Sequence, residues 1–341
     1  MRYITLFALA CSLPWAAVAQ SAPKDDAAPA DSSADATGVV FEPVPGEDQL
    51  QVFIDGMHFT TYHYGEQWKK PFLWPLNAAG GVGVTRDWPM DEDADIPKFA
   101  TDHVHHKSFW TAYGDVNDSD LWGEGLTSGK QAVDSVEWES AGDTGTITSV
   151  NTWRNALGAP QVEERRVYTF HAEAGPKGTL FDVEVTFDAK HGDVLFEDTK
   201  EGGIASVRMG YRLSYRYGTI TNARGDVGEK EAWGRPAAWC DYSAELDEVG
   251  WRGLTIMDHP DNLRHPTSWH VRTYGLMGAN PFGYSYFSED EDNEGLVPEN
   301  GDYTLAEGEE LVFNYRIYVH EGDVETAQVA EVYEAWATDA E

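Results

Sequence analysis

Strand-length segments that alternate apolar and polar side chains recur along most of this chain, and they constrain its fold more than any other feature. Gln51–Ile54, Thr146–Trp153, Val162–Phe170, Leu180–Phe187 and Leu311–Val319 are rich in Val, Thr, Tyr and Phe. Alternation with period two buries one face of a strand and leaves the other for solvent. Clusters of Gly, Asn and Asp separate the segments at short spacing, as turns between antiparallel strands require. Strands do not alternate with helices and no Gly-rich phosphate loop occurs, which excludes a parallel nucleotide-binding sheet. One amphipathic helix is expected near the end: Val329, Val332, Tyr333 and Trp336 fall at i, i+3, i+4 and i+7 behind a candidate N-cap, Asp323. The pattern predicts a mainly β fold, one large antiparallel β-sandwich with a C-terminal helix.

Such a sandwich must be held by its core. The sequence has two Cys, and Cys11 falls within Met1–Ala19, which has the form of a secretory signal peptide. Arg2 supplies the positive start, an apolar run follows, and Ala17-Val18-Ala19 is an A-x-A cleavage site. Cleavage leaves Cys240 alone, so neither an internal disulfide nor a Cys-based metal site is expected. Cys240 follows Trp239 and is expected as a small buried hydrophobe. Residues 20–38 are rich in Ala, Pro, Ser and Asp and are expected to be a disordered linker, leaving a single domain over 39–341. The leader predicts the periplasm or secretion. No later segment is apolar enough to span a bilayer, so no membrane attachment is expected after cleavage. Lys and Arg number 24 against 59 Asp and Glu, a formal charge of −35, which argues against nucleic acid as a partner.

Three segments concentrate chemically useful side chains. In the first, Pro71 to Gly125, strand alternation would put His103, His105 and Lys107 on one face and His106, Ser108 and Trp110 on the other. Asp115 and Asn117 can bind sugar hydroxyls or form turns. In the second, Phe196 to Arg208, Lys200 and Glu201 are either a solvated pair beside a Gly turn or an acid/base pair turned into a cleft. In the third, Asn262 to Gly283, His270, Arg272 and Tyr274 at i, i+2 and i+4 would share one strand face. Asn280 begins a tight loop beside them.

These segments carry ordered motifs. They are FLWPL (Phe72–Leu76), VTRDWP (Val84–Pro89), DHVHHKSFW (Asp102–Trp110), GDVN (Gly114–Asn117), DTKEG (Asp198–Gly202) with Arg208, WGRPAAWCDYS (Trp233–Ser243) and PTSWHVRTYGLMGANPFG (Pro266–Gly283). Together they resemble a bacterial PmoA-like family, often labelled methane oxygenase PmoA, whose function is unsettled. The resemblance covers about residues 50–320. Val104 stands where the family has Pro, and Lys107 where Arg is common. The resemblance implies a mutarotase-like supersandwich, and members associated with export and carbohydrate use. Arg86, Lys107, Lys200, Arg208, Arg235 and Arg272 all fall inside the motifs, so a locally basic cleft is expected within an acidic shell.

The expected function is an exported carbohydrate-active enzyme, a hydrolase or lyase acting on a glycoside or uronate-containing oligosaccharide. His103, His105, His106, Lys200, Glu201, His270 and Tyr274 are its candidate catalytic groups. Trp74, Arg86, Lys107, Trp110, Asp115, Asn117, Trp122, Arg208, Arg272 and Asn280 are candidates for substrate binding. Hydrolysis needs a positioned pair of carboxyl groups. Proton abstraction needs a His or Tyr base, with a cation beside the acid. No cofactor is expected. The alternatives are a Zn or Cu enzyme using His103, His105 and His106 with Asp102 or His270, and a non-catalytic glycan-binding module.

Overall fold

A computed structural model describes residues 37–338 apart from 174 and 294. The expected signal peptide and nearly all of the expected linker lie outside the described residues. Two eight-stranded antiparallel sheets make up the architecture. The first runs, neighbour to neighbour, Val39–Pro43, Gln49–Ile54, Met57–His63, Phe72–Leu73, Phe109–Tyr113, Gly202–Arg208, Leu276–Ala279 and Trp269–Arg272. The second runs Gly218–Asn222, Trp239–Leu246, Gly250–Asp258, Glu310–Glu321, Gly178–Asp188, Pro160–His171, Thr144–Arg154 and Lys130–Ala141. The fold is therefore the mainly β, antiparallel sandwich that the alternation predicts.

The inner faces meet through aromatic edges. Phe59 and Phe109 of the first sheet pack on Phe181 of the second at centroid distances of 5.8 and 5.5 Å, and Tyr62 meets Tyr168 at 5.6 Å. Burial of such side chains is the main driving force. Cys240 is fully buried in this core, and burial raises its thiol pKa well above the ordinary value. On the first sheet, Phe72, Trp110, Ala112 and Leu276 form a separate apolar cluster on the outer face, because their neighbours Leu73, Phe109, Tyr113 and Met277 point inward. That outer face carries the candidate site.

The C-terminal helix is Val329–Thr338. Val329 and Val332 are buried, and Tyr333 and Trp336 pack with them over Trp239, Met257 and Tyr318 on the outer face of the second sheet. Asp323 does not cap this helix. Its carboxylate accepts from the Thr326 amide at 2.9 Å, closing an earlier turn, and Gln328 at φ +57° separates that turn from the helix. No helix among the described residues is long and apolar enough to cross a membrane.

Candidate functional site

The outer face of the first sheet is crossed by a row of paired residues: Phe72, Trp110, Ser206, Gly278 and His270. The His-rich segment lies against this row as a loop, so the expected strand alternation of His103 to Trp110 does not hold. His103 and Ser108 take left-handed backbone angles, φ +46° and +59°, and the His106 amide closes a turn onto the His103 carbonyl at 3.0 Å. Arg86 fixes that shape. Its buried guanidinium donates to the carbonyls of Asp102 (2.8 Å), His103 (2.8 Å) and His106 (2.9 Å) and to the Asp102 carboxylate (3.1 Å). Arg86 thus holds the loop rather than facing a ligand.

The turn stacks four rings. Tyr274 lies on His103 (4.9 Å, 17°), His103 on His106 (4.9 Å, 5°), and His106 on Trp110 (5.3 Å, 18°). Hydrogen bonds assign the two imidazoles different roles. Arg208 can only donate, so His106 Nδ1, 2.9 Å away, accepts, and the His106 proton sits on Nε2. His106 is buried and its pKa is lowered well below the ordinary value, first by burial and then by His105 and Arg208. His103 Nδ1 lies 2.7 Å from Asp102 Oδ2. A carboxylate only accepts, so Nδ1 carries a proton, and in the neutral imidazole Nε2 is the acceptor. His103 is 39 % exposed, so a ligand can reach it.

Asp102 is held in turn by Arg208 Nη2 at 2.7 Å. Burial pushes its carboxyl up, but the hydrogen bond from His103 and the charge of Arg208 outweigh it and bring the pKa to about 2. Arg208 also lies 4.4 Å from the Tyr274 ring centroid. Burial raises the Tyr274 phenol to about 12, against the opposing charges of Arg208 and Arg272, so it remains a donor at neutral pH. Glu201 and Asp102 act on the same phenol. Tyr274 is therefore where the three sequence segments come together.

The other expected residues are placed as follows. Lys107 is buried and pairs with Glu124 at 2.7 Å. Lys200 pairs with Glu201, both partly exposed. His270 is buried with its Nδ1 unpartnered, and its pKa falls to about 3 through burial and then the charges of Arg272 and Lys200. His105 falls to about 3 through burial and then Lys70 and His103. Arg272 pairs with Glu229 at 3.1 Å, and Asn280 donates to the carbonyls of Thr199 (2.9 Å) and Lys200 (3.2 Å). Asn117 holds the short strand Val194–Phe196 by accepting from the Leu195 amide at 2.7 Å. Asp115 lies against Glu197. Burial, then the hydrogen bond and charge of Glu197, raise it to about 7. Trp110 and Trp122 are buried among the His rings, whereas Trp74 is half-buried and donates to Asp87 at 3.3 Å.

The basic cleft is not free charge: Arg86 and Arg208 face Asp102, Lys107 faces Glu124, Lys200 faces Glu201, Arg235 faces Asp226 and Arg272 faces Glu229. Among the described residues no three His, Cys, Asp or Glu are grouped to hold an ion, and His106, whose Nδ1 accepts from Arg208, carries its proton on Nε2 and offers no lone pair there. Sequence reasoning gave Asp102 no orienting role and overlooked Glu124 and Glu229. Adjacency of Asp102 to His103 was the one signal that could have found the first. The carboxylates at 124 and 229 reach their cations from distant segments.

The neutral histidines predict an acid-sensitive fold. His105 and His270 bind protons near 6.5 when unfolded and only near 3 when folded. The unfolded chain therefore takes up more protons in that window, and stability present above it is lost as pH falls. Urea midpoints measured between pH 7 and pH 4 should decline steadily; a flat profile contradicts the assignment.

A family model matches residues 49–334. The chain belongs to the DUF6807 family. The function of DUF6807 is unknown. No curated protein matches this DUF6807 chain. Among solved structures, it is similar to the galactose 1-epimerase of Lactobacillus acidophilus NCFM at 8% identity and TM-score 0.39, over 84% of this chain and 100% of that one. It is similar to the 4-alpha-glucanotransferase of Thermococcus litoralis at 10% identity and TM-score 0.38, over 84% of this chain, and spans 40% of that enzyme's length. A polysaccharide lyase is similar at 9% identity and TM-score 0.26, over 84% of this chain and 33% of that one. Likeness of this size carries no reading of what the DUF6807 chain does.

Proposed function

We propose that this protein is an exported enzyme that moves a proton on a carbohydrate substrate, with His103 as base and Tyr274 as acid. The observation that carries the reading is the Asp102–His103 pair at an exposed position with the protonated Tyr274 ring stacked on it. An oriented imidazole whose Nε2 is an acceptor, beside a phenol that keeps its proton, is equipped for elimination. His103 takes the proton next to a uronate carboxyl group, the adjacent C–O bond breaks, and Tyr274 protonates the leaving oxygen. The products are an unsaturated sugar and a free hydroxyl.

Hydrolysis is less well supported, because Asp102 and Glu201 are each tied to a cation instead of flanking an open gap. Lys200 and Arg272 are partly exposed, so a uronate carboxylate can replace Glu201 or Glu229 as their partner. The PmoA-like resemblance, with its link to carbohydrate use and export, agrees with the proposal. The test is a panel of neutral and uronate-containing oligosaccharides, followed by ultraviolet absorbance of unsaturated products and by reducing ends. Turnover of neutral glycans alone, or of none by folded protein, removes the elimination reading.

An aromatic shelf favours an oligomeric substrate. Phe99, Tyr211 and Tyr215 meet edge-on or tilted at 5.5 to 5.7 Å, and Phe99 is 63 % exposed. Exposed rings of this kind suit the C–H faces of sugars. Phe99→Ala should raise KM about fivefold on long substrates with kcat little changed, the pattern of lost uniform binding. Binding of glycans with no turnover would turn the reading to a glycan-binding module.

A further inference from the structure

A cavity of about 590 Å3 lies on the outer face of the second sheet, against Gly218–Asn222, Trp239–Leu246 and Gly250–Asp258, where the C-terminal segment crosses them. Small-molecule pockets commonly span roughly 300–1,000 Å3. The floor is hydroxylic. Thr219, Thr221 and Ser243 face outward because Ile220, Tyr242 and Ala244 between and beside them point into the core. Trp239 and Trp251 supply aromatic walls. The C-terminal segment adds carboxylates, Asp323, Glu325 and Glu331, and no Lys or Arg lines the space among the described residues.

Behind Ser243 the wall stays polar. His320 Nε2 lies 2.7 Å from Asp241 Oδ2, and the Thr255 hydroxyl donates to the same oxygen at 2.8 Å. All three residues are buried, and His320 Nδ1 and Asp241 Oδ1 have no partner. Gly253 makes room for the ring: a Cβ there would come within 2.5 Å of His320 Cε1 and 2.7 Å of Ser243 Cβ. Buried polar atoms left without a partner, as His320 Nδ1 and Asp241 Oδ1 are, carry a desolvation cost.

From these features we infer that the cavity binds a neutral saccharide, away from the His103 cluster on the other sheet. Indole faces suit the apolar faces of a sugar ring, while Thr and Ser hydroxyls and carboxylates pair with its hydroxyl groups. The acidic rim, with no lining cation, disfavours a uronate. This site would hold a glycan without reacting with it, and a second point of attachment raises the effective concentration of a chain at the first.

The test is isothermal titration of the full chain with maltose, cellobiose and lactose, and with galacturonate as the anionic arm. At least one neutral disaccharide should bind. Trp251→Ala should weaken that binding by about tenfold, as loss of an aromatic anchor does. Thr219→Arg, which fills the cavity from a half-buried position, should weaken it at least as much, with circular dichroism unchanged in both variants. Three results overturn the inference: no disaccharide binds, binding survives both substitutions, or galacturonate binds and is lost with the same two substitutions.

Discussion

His103→Asn should lower kcat by about three orders of magnitude, within the range that a positioned acid or base contributes. The change is chosen for its geometry. An Asn amide can still donate to Asp102 as His103 Nδ1 does at 2.7 Å, so the loop keeps its anchor, but the Nε2 acceptor is gone. About 4 kcal/mol of transition-state stabilisation is then lost with little change in fold. Asp102→Asn should cost about 100-fold, because His103 loses its orienting acceptor while Arg208 loses its counter-charge. The same variant should lose the acid-side stability of Asp102. A carboxyl with a folded pKa of about 2, below its ordinary 3.8, stabilises above the higher value and loses that contribution as pH falls through the lower. Steady-state rates on whichever panel member reacts, with denaturation curves of both variants, decide the matter. If His103→Asn keeps kcat within a few-fold, the base is another group.

Much of the sandwich was legible because long strands repeat one pattern. Val162–Phe170 is the instructive case. Its inward positions are Val162, Tyr168 and Phe170, whose side chains are apolar, and also Glu164 and Arg166, which share that face by alternation but whose charge would assign them to solvent. Short strands such as Phe72–Leu73, Trp269–Arg272 and Leu276–Ala279 span too few residues for a period to show. The site was legible as a set of segments and not as a geometry. Sheet order places Phe109–Tyr113, Gly202–Arg208, Leu276–Ala279 and Trp269–Arg272 side by side, and this puts Tyr274 on His103. No local pattern states such a contact. The shape of the His loop depends on Arg86, far back in the chain, and the pairing of the expected basic cleft depends on carboxylates at 102, 124, 226 and 229. Each was visible as a residue, but its partner was decided by tertiary packing.

The buried pair in that strand sets the largest expected effect on stability. Arg166 meets Glu164 through two bonds, Nε to Oε1 at 2.5 Å and Nη2 to Oε2 at 2.8 Å, and both side chains are fully buried. Trp153 Nε1 donates to Glu164 at 2.7 Å, Gln131 accepts from Arg166 at 3.1 Å, and Arg166 reaches the Pro71 carbonyl just ahead of the first sheet's Phe72–Leu73 strand. The pair therefore ties the two sheets together inside an apolar layer. Removing one charge leaves the other buried without its counter-ion, which costs about 3–5 kcal/mol. Arg166→Met should lower unfolding free energy by that amount in urea. Adding Glu164→Leu should recover a large part of it, because the desolvation cost of the carboxylate disappears with the charge. The contrast between single and double variants separates an ion pair that stabilises from one that only specifies register. If Arg166→Met costs no more than an exposed pair, under about 1 kcal/mol, then water reaches Glu164 and the two sheets are not sealed along this strand.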